Sequence, residues 1–302
     1  MIRSIQVDCK SNGYSLKLIL ASPETSQGFA VINCNGLGPG SAKVNDSEWV
    51  TVDGSFINSA RLPARDIALD LRFVPTANDE SVADIRRKSY VYFPIKQTVR
   101  LTFEFEDFRA KSTVRKRWIE GIVQKNETGP WSEEEGCSIV IRCGDPFFRD
   151  VDIEEDSFSL IDPKFHFDFP DDISDHPFPI SEILLFTEKL LMNASTIHVG
   201  AIFKIESTAA VVNPGLYNRT TNQRLDLEYT LLPGEVIVID TRKGHKRMYK
   251  QDGFNTNIIR YLKPGSKWLQ LAPGSNQVGY LADSGAENLV ISYKIEPVYE
   301  GI

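Results

Sequence analysis

The sequence predicts a mainly β protein made of two β-rich domains, the first of which carries one helix. Three observations support this. Runs of alternating apolar and polar residues fall in two sets. Pro-Gly and Asp-Gly dipeptides punctuate them. Only one segment carries strong helix-start chemistry.

In the first half, Ser15–Leu20, Ala68–Phe73 and Val99–Glu106 each place apolar side chains on one strand face. Turns are expected at Pro39-Gly40 and Asp53-Gly54, and Glu48-Trp49-Val50-Thr51-Val52 reads as a further strand. Ser81-Val82-Ala83-Asp84 reads as a capping box with Asp in place of Glu, so a helix of about ten residues starts there. Val82, Ile85 and Ser89 share one face, Arg86, Arg87 and Lys88 fall near the expected C-terminal end, and Phe93-Pro94 marks the stop. Val140 to Cys143 reads as a strand that Gly144, Asp145 and Pro146 end, with Phe147 and Phe148 beyond.

The acidic run Asp150–Asp156 offers little to bury, so the domain boundary is expected near 149–160, dividing the chain into 1–150 and 151–302. Residues 162–180, rich in Pro, Asp and Phe, read as an extended connector or arm, with the whole connector spanning about 150–180. In the second half, Ala201–Glu206 and Val236–Asp240 alternate as strands, with turns at Pro233-Gly234, Pro264-Gly265 and Pro273-Gly274.

Bulk properties exclude several classes. At 302 residues the chain is long enough for two domains, and 41% apolar with 25% charged residues is ordinary for a globular protein. No run approaches the roughly 20 apolar residues of a membrane helix, and Asp8 interrupts the start too early for a secretory signal, so synthesis in the cytoplasm is expected. A net charge of −7 argues against general nucleic-acid binding. Cys9, Cys34, Cys137 and Cys143 lack metal or redox spacing and read as structural thiols.

Candidate sites weigh against their structural readings as follows. Asn35-Gly36-Leu37-Gly38-Pro39-Gly40 has the look of a phosphate loop, but no helix is expected after it and no Gly-Lys-Ser/Thr follows, so it reads as a connection. His166, Asp168, Asp171, Asp172, Asp175 and His176 form the best metal-like cluster, yet they lack the turn glycine of a calcium loop and read as a solvated acidic stretch. Glu104 and Glu106, about 7 Å apart on one strand face, read as a solvated or interface pair rather than a glycosidase dyad.

Arg242–Arg247 is the densest basic patch and reads as a hairpin tip turning at Gly244. The basic run Arg109–Arg117 beside Glu104, Glu106 and Asp107 is expected to pair within the chain or across a head-to-tail contact. Sequons at Asn126, Asn193 and Asn218 carry no message without a secretion signal. No catalytic, metal or cofactor site is expected, and no enzyme.

Several stretches, in order, resemble the siphovirus-type phage distal tail protein family. These are residues 35–40, Val52–Arg61, Arg65–Leu69, Ile85–Lys96, Arg117–Val123 and Cys143 through Phe148 in the first half. In the second half they are Asn213-Pro214, Asn218–Gln223, Leu231–Thr241, Trp268–Asn276 and Tyr299-Glu300-Gly301. Phe147 stands where the family often has Tyr, and residues 162–180 depart from its pattern.

The resemblance implies a tail-tube-like β domain with one helix followed by a galectin-like β-sandwich. It implies a structural role at the virion tail tip of a long non-contractile-tailed phage or prophage, assembled in the bacterial cytoplasm. Self-association into a homohexameric ring is implied, with the tail tube, tape-measure and tail-tip or tail-associated proteins as partners, and receptor-binding components attached; nucleic acid and membrane are not among them. The alternative is a carbohydrate-binding module for cell-wall saccharide. For it Trp268, sharing a face of the alternating run Ser266–Leu271 with Ser266 and Gln270, is the candidate glycan contact. A third reading is a glycosidase.

Overall fold

A computed structural model describes the chain except residues 1, 21–26, 52, 76–80, 107–112, 130–134, 152, 164–180 and 186. It divides into two compact units, Met1–Asp152 with Val298–Ile302, and Ile153–Pro297. Strands are numbered along the chain.

Unit 1 contains β1 (Ile2–Cys9), β2 (Ser15–Ile19), β3 (Phe29–Asn35), β4 (Lys43–Glu48), β5 (Ser55–Arg61), β6 (Arg65–Phe73), α1 (Val82–Tyr92), β7 (Thr98–Glu106), β8 (Val114–Thr128), β9 (Gly136–Cys143) and β10 (Phe148–Asp150). Seven strands form an antiparallel sheet in the order β2-β1-β7-β8-β9-β6-β3. Alternation works as the sequence demands: Ile67, Leu69, Leu71 and Phe73 of β6 and Val99, Leu101 and Phe103 of β7 are all buried. They join Phe29, Ile85, Phe93 and Phe148 in one core.

The helix starts where the capping box places it. Ser81 Oγ accepts the Asp84 N–H (3.3 Å), and the Asp84 carboxylate accepts the Ser81 N–H (3.2 Å). Ile85 and Ser89 are buried, as expected, and Phe93 caps the end. The helix runs past the expected basic end to Tyr92, so its last turn holds no basic residue and Arg86–Lys88 lie mid-helix.

Residues 298–302, placed with the C-terminal half in the sequence reading, return to unit 1. Here β25 (Val298–Tyr299) pairs with β10, which also pairs with β8.

Unit 2 contains β11 (Glu154–Ser157), β12 (Ser159–Pro163), β13 (Ser181–Leu185), β14 (Glu188–Asn193), β15 (Ala201–Ser207), β16 (Val211–Val212), β17 (Gly215–Asn218), β18 (Gln223–Asp226), β19 (Thr230–Leu231), β20 (Val236–Asp240), β21 (Arg247–Lys250), β22 (Thr256–Asn257), β23 (Gly274–Leu281) and β24 (Leu289–Ile295). One sheet runs β11-β24-β15-β20-β21-β22 and another β14-β23-β17-β18. Their buried rows include Phe203 and Ile205 of β15, Ile237 and Ile239 of β20, Leu216 of β17 and Val278 of β23.

Two expectations need correction here. The acidic run was read as connector, but Glu154–Ser157 pairs with β24 as an edge strand, where backbone ladder bonds replace the missing apolar burial. Within 162–180, Asp162 and Pro163 belong to a hairpin stem in which β12 pairs with β13; 164–180, with all six residues of the metal-like cluster, lie outside the described residues.

Candidate assembly surface

The strand expected over 48–52 is displaced. β4 ends at Glu48, β5 begins at Ser55, and together they form a two-stranded antiparallel arm that pairs with no other strand among the described residues. Every residue of both strands is exposed. The arm nevertheless carries apolar side chains: Phe56 is 60% and Ile57 63% exposed, Trp49 62%, and Val50 wholly exposed at the tip. A lone hairpin is marginally stable in water and has no core of its own. Large exposed apolar side chains gathered on such an element mark a contact surface.

The arm's root is held by backbone carbonyls gathered around two guanidinium groups, one on a buried and one on a half-buried arginine. Arg65 opens β6 and is only 7% exposed. Its Nη1 donates to the carbonyls of Gly36 (3.0 Å) and Gly38 (2.8 Å), and its Nη2 donates to that of Glu300. The Phe148 ring lies 4.9 Å from the guanidinium carbon. Burial pulls the Arg65 pKa below its ordinary value, with Cys143 and Glu300 opposing.

Arg117 on β8 does the same from the other side. It donates to the Gly301 carbonyl (2.8 Å) and lies 3.5 Å over the Tyr299 ring, and burial lowers its pKa. The Ile302 N–H closes the set on the Leu37 carbonyl (3.1 Å). Gly36 is required in this loop: its φ is +88°, and a Cβ there would sit 2.2 Å from the Asp66 carbonyl oxygen.

This geometry disposes of the phosphate-loop reading in the way expected. A phosphate loop aims N–H groups outward, whereas this loop turns two carbonyls toward a cation and leads into the arm.

Other candidates resolve as structural groups. Glu104 accepts from Ser4 Oγ (2.8 Å) and lies 3.5 Å from Lys17, while Glu106 accepts from Arg3 (3.0 Å). The Ser4 hydrogen bond leads in holding the Glu104 pKa below the carboxylate range, opposite to what a general acid needs. Across the ladder Glu104 faces Lys116, so charges of opposite sign pair within the chain; 107–112 lie outside the described residues.

The sequon asparagines are braces. Asn126 donates to the carbonyls of Ser89 and Phe93 at the helix end (both 3.2 Å). Asn193, 1% exposed, donates to Ile197 and Leu271 carbonyls (2.9 and 3.0 Å). Asn218, also 1% exposed, donates to the Gln270 carbonyl (2.9 Å).

The basic turn is a hairpin tip between β20 and β21, with Gly244 at φ +80°. Arg242 grips buried Asp240 through two nitrogens (3.0 and 2.9 Å), and this bond leads in raising its pKa. Trp268 is half-buried, with Lys246 Nζ 5.9 Å from its ring centroid. The run Ser266–Leu271 alternates in burial as expected but forms no strand. Side-chain amides hold it instead: Gln223 Oε1 accepts the Gln270 N–H (2.6 Å), and Asn276 Oδ1 accepts the Ala272 N–H (2.8 Å) just beyond. Arg65 and Arg117 open two of the family-like motifs, but nothing in the sequence pointed to the carbonyls they hold, which lie up to 235 residues away along the chain.

Residues 194–296 match the family model for the siphovirus-type tail component, C-terminal domain. This match agrees with the resemblance to distal tail proteins read from the motifs. Among solved structures the chain is similar to SPP1 Dit (gp 19.1), a protein described as a paradigm of the hub adsorption apparatus in phages infecting Gram-positive bacteria. The identity is 14% and the TM-score 0.64, covering 97% of this chain and 98% of that one. At that identity the likeness establishes the fold, mainly β over nearly the whole length. Chains of the phage P2 baseplate in its activated conformation, with Ca and with Sr, match at 10% identity, TM-scores 0.48 and 0.44, covering 100% and 98% of both chains. No curated protein sequence matches.

Proposed function

We propose that this protein is a structural hub at the tail tip of a long non-contractile-tailed phage or prophage, closing with copies of itself into a ring. The ring, six copies by family resemblance, joins the tail tube to tail-tip and receptor-binding components, with the tape-measure protein also in contact. The observation that carries this reading is the arm formed by β4 and β5. It has thirteen exposed strand residues and an apolar tip, so it needs a surface beyond its own unit to bury anything. A contact between unlike surfaces of identical chains repeats until its rotation closes, which makes a ring. The role is non-enzymatic, with residues 1–150 as the ring-forming part and 151–302 as a galectin-like sandwich.

The test is light scattering coupled to size-exclusion chromatography, with negative-stain imaging of the main peak. Six chains of 34.0 kDa give about 204 kDa. Annular particles near that mass support the reading, whereas a species of 34.0 kDa at the highest soluble concentration counts against it. Saccharide contact at Trp268 is the second proposal, favoured only by the part of the indole that stays exposed. Retention of the protein on cell-wall polysaccharide that survives Trp268→Ala would sink it.

A further inference from the structure

Helix α1 is unusual on its outward side. Its inner face buries Ile85 and Ser89, while Arg87, Tyr90 and Val91, spaced i, i+3, i+4, all face solvent. Tyr90 is 44% and Val91 40% exposed, and Ile95, just past the helix end, is 47% exposed. Tyr14 extends the stripe: it is 55% exposed, its ring meets that of Tyr92 edge-on at 6.4 Å, and neighbouring Asn12 donates to the Val91 carbonyl (2.9 Å). The outer face of a surface helix is ordinarily polar. This one carries Tyr90 and Val91, and the segment 86–96 holds Arg86, Arg87, Lys88 and Lys96; Glu135 binds Arg86 and Asp84 pairs with Arg87 (3.1 Å), whose side chain stays 77% exposed.

The arm is its complement in charge. Between residues 46 and 56 it carries Asp46, Glu48 and Asp53 and no basic residue, around exposed Trp49, Val50 and Phe56. One unit thus presents two unlike surfaces, each apolar at its centre, one rimmed by acids and the other by bases. Such a pair fits a head-to-tail contact that passes from copy to copy, whereas reciprocal exchange of both arms between two copies would close a dimer instead.

We infer that the arm of one copy lies across the outer stripe of α1 in the next copy, Trp49 and Val50 against Tyr90, Val91 and Ile95, with Asp46 and Glu48 toward Arg87, Lys88 and Lys96. This rests on the ring reading and gives it a seat. Five apolar side chains leave water in this seat, and their burial offsets the cost of association. The flanking charges fix direction and register more than affinity.

The test uses the full chain with Trp49→Cys and Val91→Cys together, treated with a short bis-maleimide, with each single variant as control and light scattering on the same samples. The native thiols are buried or half-buried and give little background. Ring mass with a ladder of covalently joined copies in the double variant alone supports the seat. Ring mass without the ladder overturns the seat and leaves the ring reading standing. Absence of any assembled mass in wild-type protein overturns the ring reading, and the seat with it. As a second arm, Arg87→Glu with Lys88→Glu weakens self-association by about tenfold or more. Adding Asp46→Lys and Glu48→Lys restores it; failure of that restoration, with helix content unchanged, also overturns the seat.

Discussion

Arg65→Met keeps an unbranched apolar stem in unit 1 and removes the guanidinium donors that bind three carbonyls at the arm's root. Three carbonyls lose their partner: Gly36, Gly38 and Glu300. Each hydrogen bond from a charged donor is worth roughly 1.5–3 kcal/mol. Against this, relief from burying a guanidinium that is only 7% exposed returns several kcal/mol of desolvation cost. The expected net loss is about 2–4 kcal/mol, because the stranded carbonyls remain partly enclosed. The loss is local, so the assay is amide hydrogen exchange. The Ile302 N–H, bonded to the Leu37 carbonyl, reports on the lock directly, and the amides of β15 in unit 2 serve as the internal control. Exchange at Ile302 should quicken by about 30- to 700-fold, the loss converted at 1.4 kcal/mol per factor of ten, with β15 unchanged. If Ile302 keeps wild-type protection, Arg65 is a passive core residue and the lock does not exist.

Gly36→Ala tests the same root by a different route. Its Cβ would meet the Asp66 carbonyl oxygen at φ +88°, so the loop must move and unit 1 should lose about 2–4 kcal/mol in urea unfolding, whereas Gly144→Ala, with open space around it, should cost under about 1 kcal/mol. The capping box makes the helix sensitive to acid. Ser81 hydrogen bonds hold the Asp84 pKa below its ordinary 3.8, so its contribution is fully present above that value and is lost as pH falls through the lower folded value. Amide protection in the first turn should therefore fall with acidification in wild type and be insensitive to pH in Asp84→Asn. Burial pushes the thiols of Cys34, Cys137 and Cys143 up to about 12, so native protein at neutral pH should resist maleimide at all three and take it up after denaturation, read by mass spectrometry.

How much was legible depended on where the physical signal sits. Strands β2, β6, β7, β15 and β20 were readable because each buries one face, which writes a period of two into the sequence. The helix start was readable because its capping partners are three residues apart. The arm was misplaced for the opposite reason. Lys43-Val44-Asn45-Asp46-Ser47-Glu48 has no buried face to impose alternation, so the apolar Trp49-Val50 at the tip was mistaken for strand. β11 was missed because its stability comes from backbone pairing with β24.

The run 266–271 erred the other way. It has a strand's alternation, but the amides of Gln223 and Asn218 take up its backbone groups. The parts of the Arg65 lock stood in three separate motifs, but their joining was not legible, because backbone carbonyls carry no residue signature. The likeness to the tail component over 194–296 was legible only as an ordered series of weak motifs; Asn218 and Asn276 stand in two of them, but nothing in the sequence showed that they brace each other.

The return of residues 298–302 to unit 1 has a consequence for biosynthesis. During translation the N-terminal unit emerges first, yet β25 and the carbonyls of Glu300 and Gly301 that Arg65 and Arg117 require come only after all of unit 2 has been made. Until then the root of the arm lacks part of its clasp. A chain that stalls or is cut inside the second unit keeps the arm's residues but not the means to hold the arm, and so fails as a building block. The order of segments along the chain thereby makes the finished root a mark of completeness, since only a chain translated through Gly301 can form it.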